Sequence, residues 1–206
     1  MENFIEKYNV SRETYLKLER YVVLLNEWQK KFNLVSKSSL EYVWSRHIAD
    51  SAQLFKFVSD DVNVIYDFGS GAGFPALVMA IIAQEKRPEI SFKLVESIRK
   101  KTLYLNAVKD DLVLNNVEII NDRVENLRLK TADMITARAM TSLNNLLEYA
   151  FLFSDKKTKM LFPKGQSYNE ELELAKKNWN FKINIYKNEI CDNGVILLLE
   201  NLRRKK

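Results

Sequence analysis

The residues with the clearest chemical potential lie in one short stretch. A β-branched run from Val62 to Tyr66 leads into Asp67, and glycines follow at positions 69, 71 and 73 before Phe74 and Pro75. Glycine lets a turn take positive φ and lets a ligand approach backbone with no Cβ in the way. Three of the chain's five glycines are spent here, which predicts a strand-to-helix turn built against a nucleotide-like ligand. The spacing is G-x-G-x-G, not the G-x-G-x-x-G of dinucleotide folds. Glu96 follows Gly73 by 23 residues. A carboxylate there can accept both hydroxyl protons of a ribose; its alternative is an acid favoured at a helix N-terminus. Asn121 to Glu125 either brackets an adenine or forms a simple turn.

The charge beside the turn separates two ligand classes. A nicotinamide dinucleotide would seat its pyrophosphate on the helix N-terminus. S-adenosylmethionine has no phosphate and carries a cationic sulfonium, which suits Asp67 better. The glycine spacing points the same way.

These groups need a scaffold. Tyr15, Leu18, Val22, Leu25, Trp28 and Phe32 recur at helical spacing, so residues 11–33 read as an amphipathic helix with Ser11 as N-cap. Residues 40–57 read as a second helical stretch. Strand-like segments at 62–68, 91–96, 117–121, 133–137 and 159–162 then alternate with helical ones at 76–84, 98–109, 143–153 and 170–178. Strands at 181–190 and 195–200 close the chain around Asn193-Gly194, a hairpin signal. Alternation predicts an α/β fold with a mostly parallel, seven-stranded sheet and right-handed crossovers, ending in an antiparallel hairpin. The boundary falls near Asp60-Asp61: residues 1–60 form a helical extension packed on the core, and 61–206 the sheet domain. In open sheets of this kind the ligand lies at the carboxyl ends of the strands, where Asp67 and Glu96 stand.

Composition narrows the class. No apolar run approaches the ~18 residues of a membrane span, and the N-terminus lacks the pattern of an export signal. One cysteine and one histidine among 206 residues argue against a disulfide framework or a structural zinc site. A cytoplasmic, metal-free monomer is expected. Net charge is +5, and residues 151–206 alone carry 12 basic against 7 acidic side chains. Such an excess favours phosphate backbones, although a solvated lysine-rich surface has the same composition.

Three blocks, in order, make the chain resemble the bacterial small-subunit ribosomal RNA guanine-N7 methyltransferases, the glucose-inhibited division protein B family. The first is Phe32-Asn33-Leu34-Val35-Ser36 with Trp44-Ser45-Arg46-His47-Ile48-Ala49-Asp50-Ser51. The second is Asp67 through Pro75, then Val95-Glu96-Ser97 with Lys100-Lys101. The third is Arg123-Val124-Glu125, then Asp133 through Ala139, and Pro163-Lys164-Gly165. The resemblance spans roughly residues 28–175, and the Arg-His-Ile-x-Asp-Ser and Thr-Ala-Arg-Ala blocks are its specific parts. It implies the Rossmann-like class I S-adenosylmethionine-dependent methyltransferase fold. It implies cofactor contacts at Gly69, Phe74, Val124, Glu125 and Arg138, with Glu96 on the ribose. It also implies a guanine of 16S rRNA in the small ribosomal subunit as substrate. Ala76 stands where the family often has glycine, a small departure.

The chemistry of that acceptor is consistent with the residues. Guanine N7 has an exposed lone pair and needs no general base, only placement and charge stabilisation. A C5-pyrimidine acceptor would need a cysteine nucleophile in the site, and Cys191 lies in the terminal hairpin. On the substrate side the candidates are His47, Lys100, Lys101, Arg123 and Lys164. His47 reads either as a packed or capping residue or, with Asp50, as a wall of the substrate cleft. Lys100 and Lys101 oppose the helix dipole unless a phosphate relieves them. Lys164 follows the fifth strand at the same edge and suits an RNA phosphate. Arg203 to Lys206 is expected to be a frayed tail. Alternatives are a methyltransferase acting on another RNA or a small molecule, an NAD-dependent oxidoreductase, or a non-catalytic ribosome-binding module.

Overall fold

The computed structural model describes residues 1–205. Its centre is a seven-stranded sheet of order β3-β2-β1-β4-β5-β7-β6. The strands are β1 (Val64–Phe68), β2 (Ser91–Val95), β3 (Val117–Ile120), β4 (Met134–Ala137), β5 (Lys159–Lys164), β6 (Trp179–Lys187) and β7 (Val195–Arg204). The first five are parallel; β7 inserts antiparallel between β5 and β6. Strand order reverses between β1 and β4, and the crevice above that point is where open α/β sheets bind ligands.

The chain enters through α1 (Glu2–Tyr8), α2 (Arg12–Gln29) and α3 (Lys37–Leu40). Ser11 caps α2, its side chain accepting from the Thr14 N–H. The 40–57 stretch is not one helix. A π-helical turn, Trp44–Ala49, passes into α4 (Asp50–Ala52) and a 3-10 turn, Gln53–Phe57. Residues 50 to 54 are all buried, and five consecutive buried positions cannot share one face of a regular surface helix. The segment instead threads between the core and the β6–β7 turn, so its backbone follows the packing.

α5 (Ala76–Lys86) is buried from Ala76 to Ala83. It is apolar all round because the sheet covers one side and α2 the other. With α6 (Arg99–Asp111) it fills one face of the sheet, and Leu18, Tyr21, Leu25, Ile48 and Leu54 join the same apolar cluster. α7 (Leu143–Phe151) and α8 (Tyr168–Asn178) cover the other face. Arg203 and Arg204 pair with Asn180 and Trp179 inside the β6–β7 ladder, so they are strand and not frayed tail; Lys206 lies outside the described residues. No helix among the described residues is long and apolar enough to cross a membrane.

Candidate functional site

The turn after β1 takes positive φ at each glycine: 66° at Gly69, 58° at Gly71 and 93° at Gly73. The three differ in what surrounds them. A Cβ on Gly69 would lie 2.7 Å from Met140 Cγ, and one on Gly73 would lie 2.7 Å from the Tyr21 hydroxyl. A Cβ on Gly71 would meet nothing nearer than the Gly69 carbonyl at 3.7 Å. The outer glycines are therefore small for the protein's own packing, and the middle one faces open space.

Two buried acids lie beneath this turn. Glu96, just past β2, accepts from the Gly71 N–H at 2.9 Å and the Ile98 N–H at 2.8 Å. Its carboxylate is thereby held against the turn's open glycine. Asp67 is 1% exposed. Its Oδ1 accepts from Thr136 at 2.6 Å, while Oδ2 is buried without a partner. Burial pushes the Asp67 carboxyl up to about 7, against hydrogen bonds from Thr136 and Ser70 that act downward. An orphaned buried oxygen of this kind calls for a partner that the chain itself does not supply.

Two cavities meet at Gly69. One, of about 220 Å³, is lined by Val95, Ser97, Arg123, Val124, Glu125 and Met140. Tyr149 donates to Glu125 at 3.1 Å across its rim. The other, of about 250 Å³, is lined by Val35, His47, Gly71, Phe74, Lys101 and Arg138. Its outer wall is the segment after α2, clamped by Gln29, whose amide oxygen accepts from the Leu34 and Val35 N–H groups. A third cleft of about 330 Å³ opens beyond the end of β4, lined by Asp50, Arg138, Ala139, Lys164, Asn188 and Cys191.

Arg138 stands between the second and third spaces. Its Nη1 donates to Asp50 Oδ2 at 3.0 Å and to the Arg46 carbonyl at 3.1 Å. Its Nη2 lies 2.7 Å from His47 Nδ1. A guanidinium has no acceptor, so Nδ1 accepts and the imidazole proton resides on Nε2, which is buried without a partner. Burial, then Arg138 and Arg46, hold the His47 pKa down to about 4; the ring is neutral near pH 7. It stacks on Phe74 at 4.7 Å, and the Arg138 guanidinium lies 5.0 Å from the same ring centre.

The fold thus gathers Gly69, Gly71, Phe74, Val124, Glu125 and Arg138 on two adjoining cavities, with Asp67, Gly73 and Glu96 beneath. His47 and Lys101 join the second cavity. Lys100 is exposed beside it at the start of α6, and Arg123 belongs to the first cavity, away from His47. Lys164 lines the third cleft but is already engaged, donating to Glu171 at 2.7 Å and to the Thr141 carbonyl at 3.2 Å. Sequence reasoning missed Tyr21, whose hydroxyl donates to the Ala72 carbonyl at 2.5 Å, and Asn188, which contacts Asp50. Neither carries a local signal: the partners are 51 and 138 residues apart.

Comparison with known proteins agrees with this geometry. The fold matches solved methyltransferases: a SAM dependent methyltransferase from Aquifex aeolicus at TM-score 0.60 and 14% identity, covering 85% of this chain and 97% of that one. TYW2 of M. jannaschii, solved in complex with AdoMet, matches at TM-score 0.56 and 17% identity over 77% and 76%. These likenesses establish the Rossmann-like class I fold. In sequence, the chain is 42% identical to the ribosomal RNA small subunit methyltransferase G of Jannaschia sp. (strain CCS1), over 91% of this chain and 89% of that protein. It is 38% identical to the protein of the same name from Ruegeria pomeroyi (strain ATCC 700808 / DSM 15171 / DSS-3), over 95% of both. The family model for rRNA small subunit methyltransferase G (GidB) matches residues 14–193. With that match running through the glycine turn, Glu96 and the His47–Arg138 cluster, the chain belongs to the rRNA small subunit methyltransferase G family.

Proposed function

We propose that this chain transfers a methyl group from S-adenosylmethionine to N7 of a guanine in 16S rRNA of the small ribosomal subunit. The observation that carries the reading is the glycine turn. Its middle glycine opens on the second cavity, a fixed Glu96 carboxylate lies beneath it, and Asp67 has a buried oxygen without a partner. That combination fits a ligand that carries ribose hydroxyls close to a positive charge.

The cavity at Val124, Glu125 and Arg123 is suited to the adenosine end, and the one at Gly71, Phe74 and Arg138 to the methionine end. When bound, the cofactor supplies an electrophilic methyl on a sulfonium. The chain's own residues bind, orient and exclude water. Phe74, packed against the contacting pair of His47 and Arg138, gives the second cavity an aromatic wall. Arg138 retains N–H groups beyond its three internal bonds, and these can meet a cofactor carboxylate or an acceptor oxygen such as guanine O6. N7 attacks with its own lone pair, and a neutral His47 whose Nδ1 is engaged by Arg138 is not needed as a base. Lys100, Lys101 and Lys164 flank the openings and suit RNA phosphates, Lys164 by exchanging Glu171 for a phosphate oxygen. An rRNA substrate supports a cytoplasmic location.

The test is transfer of labelled methyl from S-adenosylmethionine to small subunits lacking this modification, with the product nucleosides identified. Label in 7-methylguanosine is expected. Demonstrated cofactor binding with no label in that nucleoside overturns the acceptor and leaves another RNA or a non-catalytic role.

A further inference from the structure

We propose that Asn188, in the turn between β6 and β7, is a positioning residue for Arg138, acting through the Asp50 carboxylate. Asn188 is 4% exposed. Its Nδ2 donates to Asp50 Oδ1 at 2.7 Å. Its Oδ1 accepts from the Ile190 and Cys191 N–H groups, each at 2.8 Å, and from Gln53 Nε2 at 3.0 Å. The amide cannot reverse, because a flip would set its amino group against three donors. Gln53 makes a second bond to Asp50 Oδ1, at 3.0 Å. One carboxylate oxygen is thus fixed by two amides, and the other is left to Arg138.

The physical argument is one of cost. A buried charged pair is expensive to desolvate, and apolar packing of equal volume commonly stabilises as well or better. A fully satisfied buried network instead holds one geometry. Here that geometry belongs to a guanidinium gripped by Asp50 on one side and His47 on the other, lining two of the three cavities. The terminal hairpin, which has no part in the glycine turn, thereby sets the direction of Arg138. The assignment rests on Arg138 belonging to the proposed site.

Asn188→Asp tests it with almost no change of shape. Oδ1 keeps its three donors, while an oxygen replaces the amino group facing Asp50. Two carboxyls at that distance share a proton, and they repel once both ionise. The other titratable groups near Asp50 are Arg138, His47 and Arg46, Tyr8 of α1, Glu189 and Cys191 in the turn, and Lys164 with Glu171 across the cleft. They are the same in both proteins, so the difference between variant and parent isolates the new pair. His47 is the chain's single histidine, so its imidazole ¹⁵N signals report the Arg138 contact without overlap.

In folded Asn188→Asp those signals should match the parent's at acid pH, where the pair shares a proton, and depart from them as pH rises and both carboxyls ionise, although residue 188 makes no hydrogen bond to His47. Over the same window kcat/KM should fall on the order of tenfold or more relative to the parent, because displaced positioning groups lose rate steeply. Melting curves at each pH confirm that the folded protein is being read. Parent-like His47 signals at every pH, or an equal offset at every pH, overturn the proposal. If Asn188→Asp does not fold, Asn188→Ala should displace the His47 signals at all pH values, and undisplaced signals overturn the proposal as well. A parent enzyme without methyl transfer would sink the functional reading alone, since the His47 signals do not depend on activity.

Discussion

At the scale of single residues, the glycines and the shifted Asp67 carboxyl make separable predictions. Gly71→Val fills the open space above the turn, so cofactor affinity should fall by about two orders of magnitude. The melting temperature should also drop, reflecting roughly 1–3 kcal/mol of left-handed strain without a packing collision. Gly73→Ala should do the reverse in emphasis: its methyl collides with Tyr21 and Leu77, costing roughly 1–3 kcal/mol of overpacking. Calorimetric titration and thermal melts on both variants separate the two roles, and equal losses of affinity and stability in both would contradict the assignment. Asp67 predicts a pH dependence. Its folded carboxyl is raised from 3.8 to about 7, so the folded state keeps a proton that the unfolded chain has lost. The associated stability is fully present below about pH 4 and is lost as pH rises through about 7, roughly 4 kcal/mol in all. Asp67→Asn should therefore gain on the parent protein steadily across that window, as read from melts at a series of pH values. A constant difference would show that the carboxyl is not held protonated. Asp67 and the glycines were legible in sequence because strand, acid and turn are contiguous there. Tyr21 and Asn188 were not, because their significance comes from partners distant in the chain.

At the scale of elements, the helix before the sheet reaches directly into the site. α2 places Tyr21, fully buried, so that its hydroxyl closes on the Ala72 carbonyl in the middle of the glycine turn. Tyr21→Phe should cost about 1–2 kcal/mol, because a buried carbonyl loses its partner. It should also weaken cofactor affinity severalfold, since the turn is no longer held from below. Unchanged affinity in that variant would make α2 packing alone. The strands and most helices could be read from periodicity, since each has one buried face or is buried throughout. The 40–57 segment could not. Its apolar spacing suggested a helix, but His47, Asp50 and Gln53 are buried by polar partners just after β4 and in the β6–β7 turn, and a hydrophobic pattern does not record such partners.

For the whole molecule, the proposed division at residue 60 separates two stretches of chain but not two independent cores. Val10, Leu18, Tyr21, Leu25 and Ile48 share one apolar cluster with Leu77, Met79, Ile81 and Leu105. A chain of residues 61–206 would expose the buried surface of α5 and should fail to fold cooperatively, as circular dichroism melting would show; a sharp transition would establish an autonomous sheet domain. The charge excess also acts at this scale. If RNA is the substrate, KM for the small subunit should rise steeply with salt by loss of counterion release, while cofactor affinity changes little. Parallel weak dependence of both would count against RNA contact by the basic face.

Periodicity, glycine spacing and the order of three sequence blocks determined the α/β class, the ligand turn and the family. These are local or ordered along the chain, and side-chain alternation and backbone freedom need no knowledge of distant contacts. Only the tertiary structure decided that Lys164 is paired with Glu171, that His47 is held neutral with its proton on Nε2, and that Arg138 is gripped from the N-terminal segment and, through Asp50, from the last hairpin. Each of those depends on burial and on partners brought together by folding, which set hydrogen bonding and charge where sequence neighbours do not.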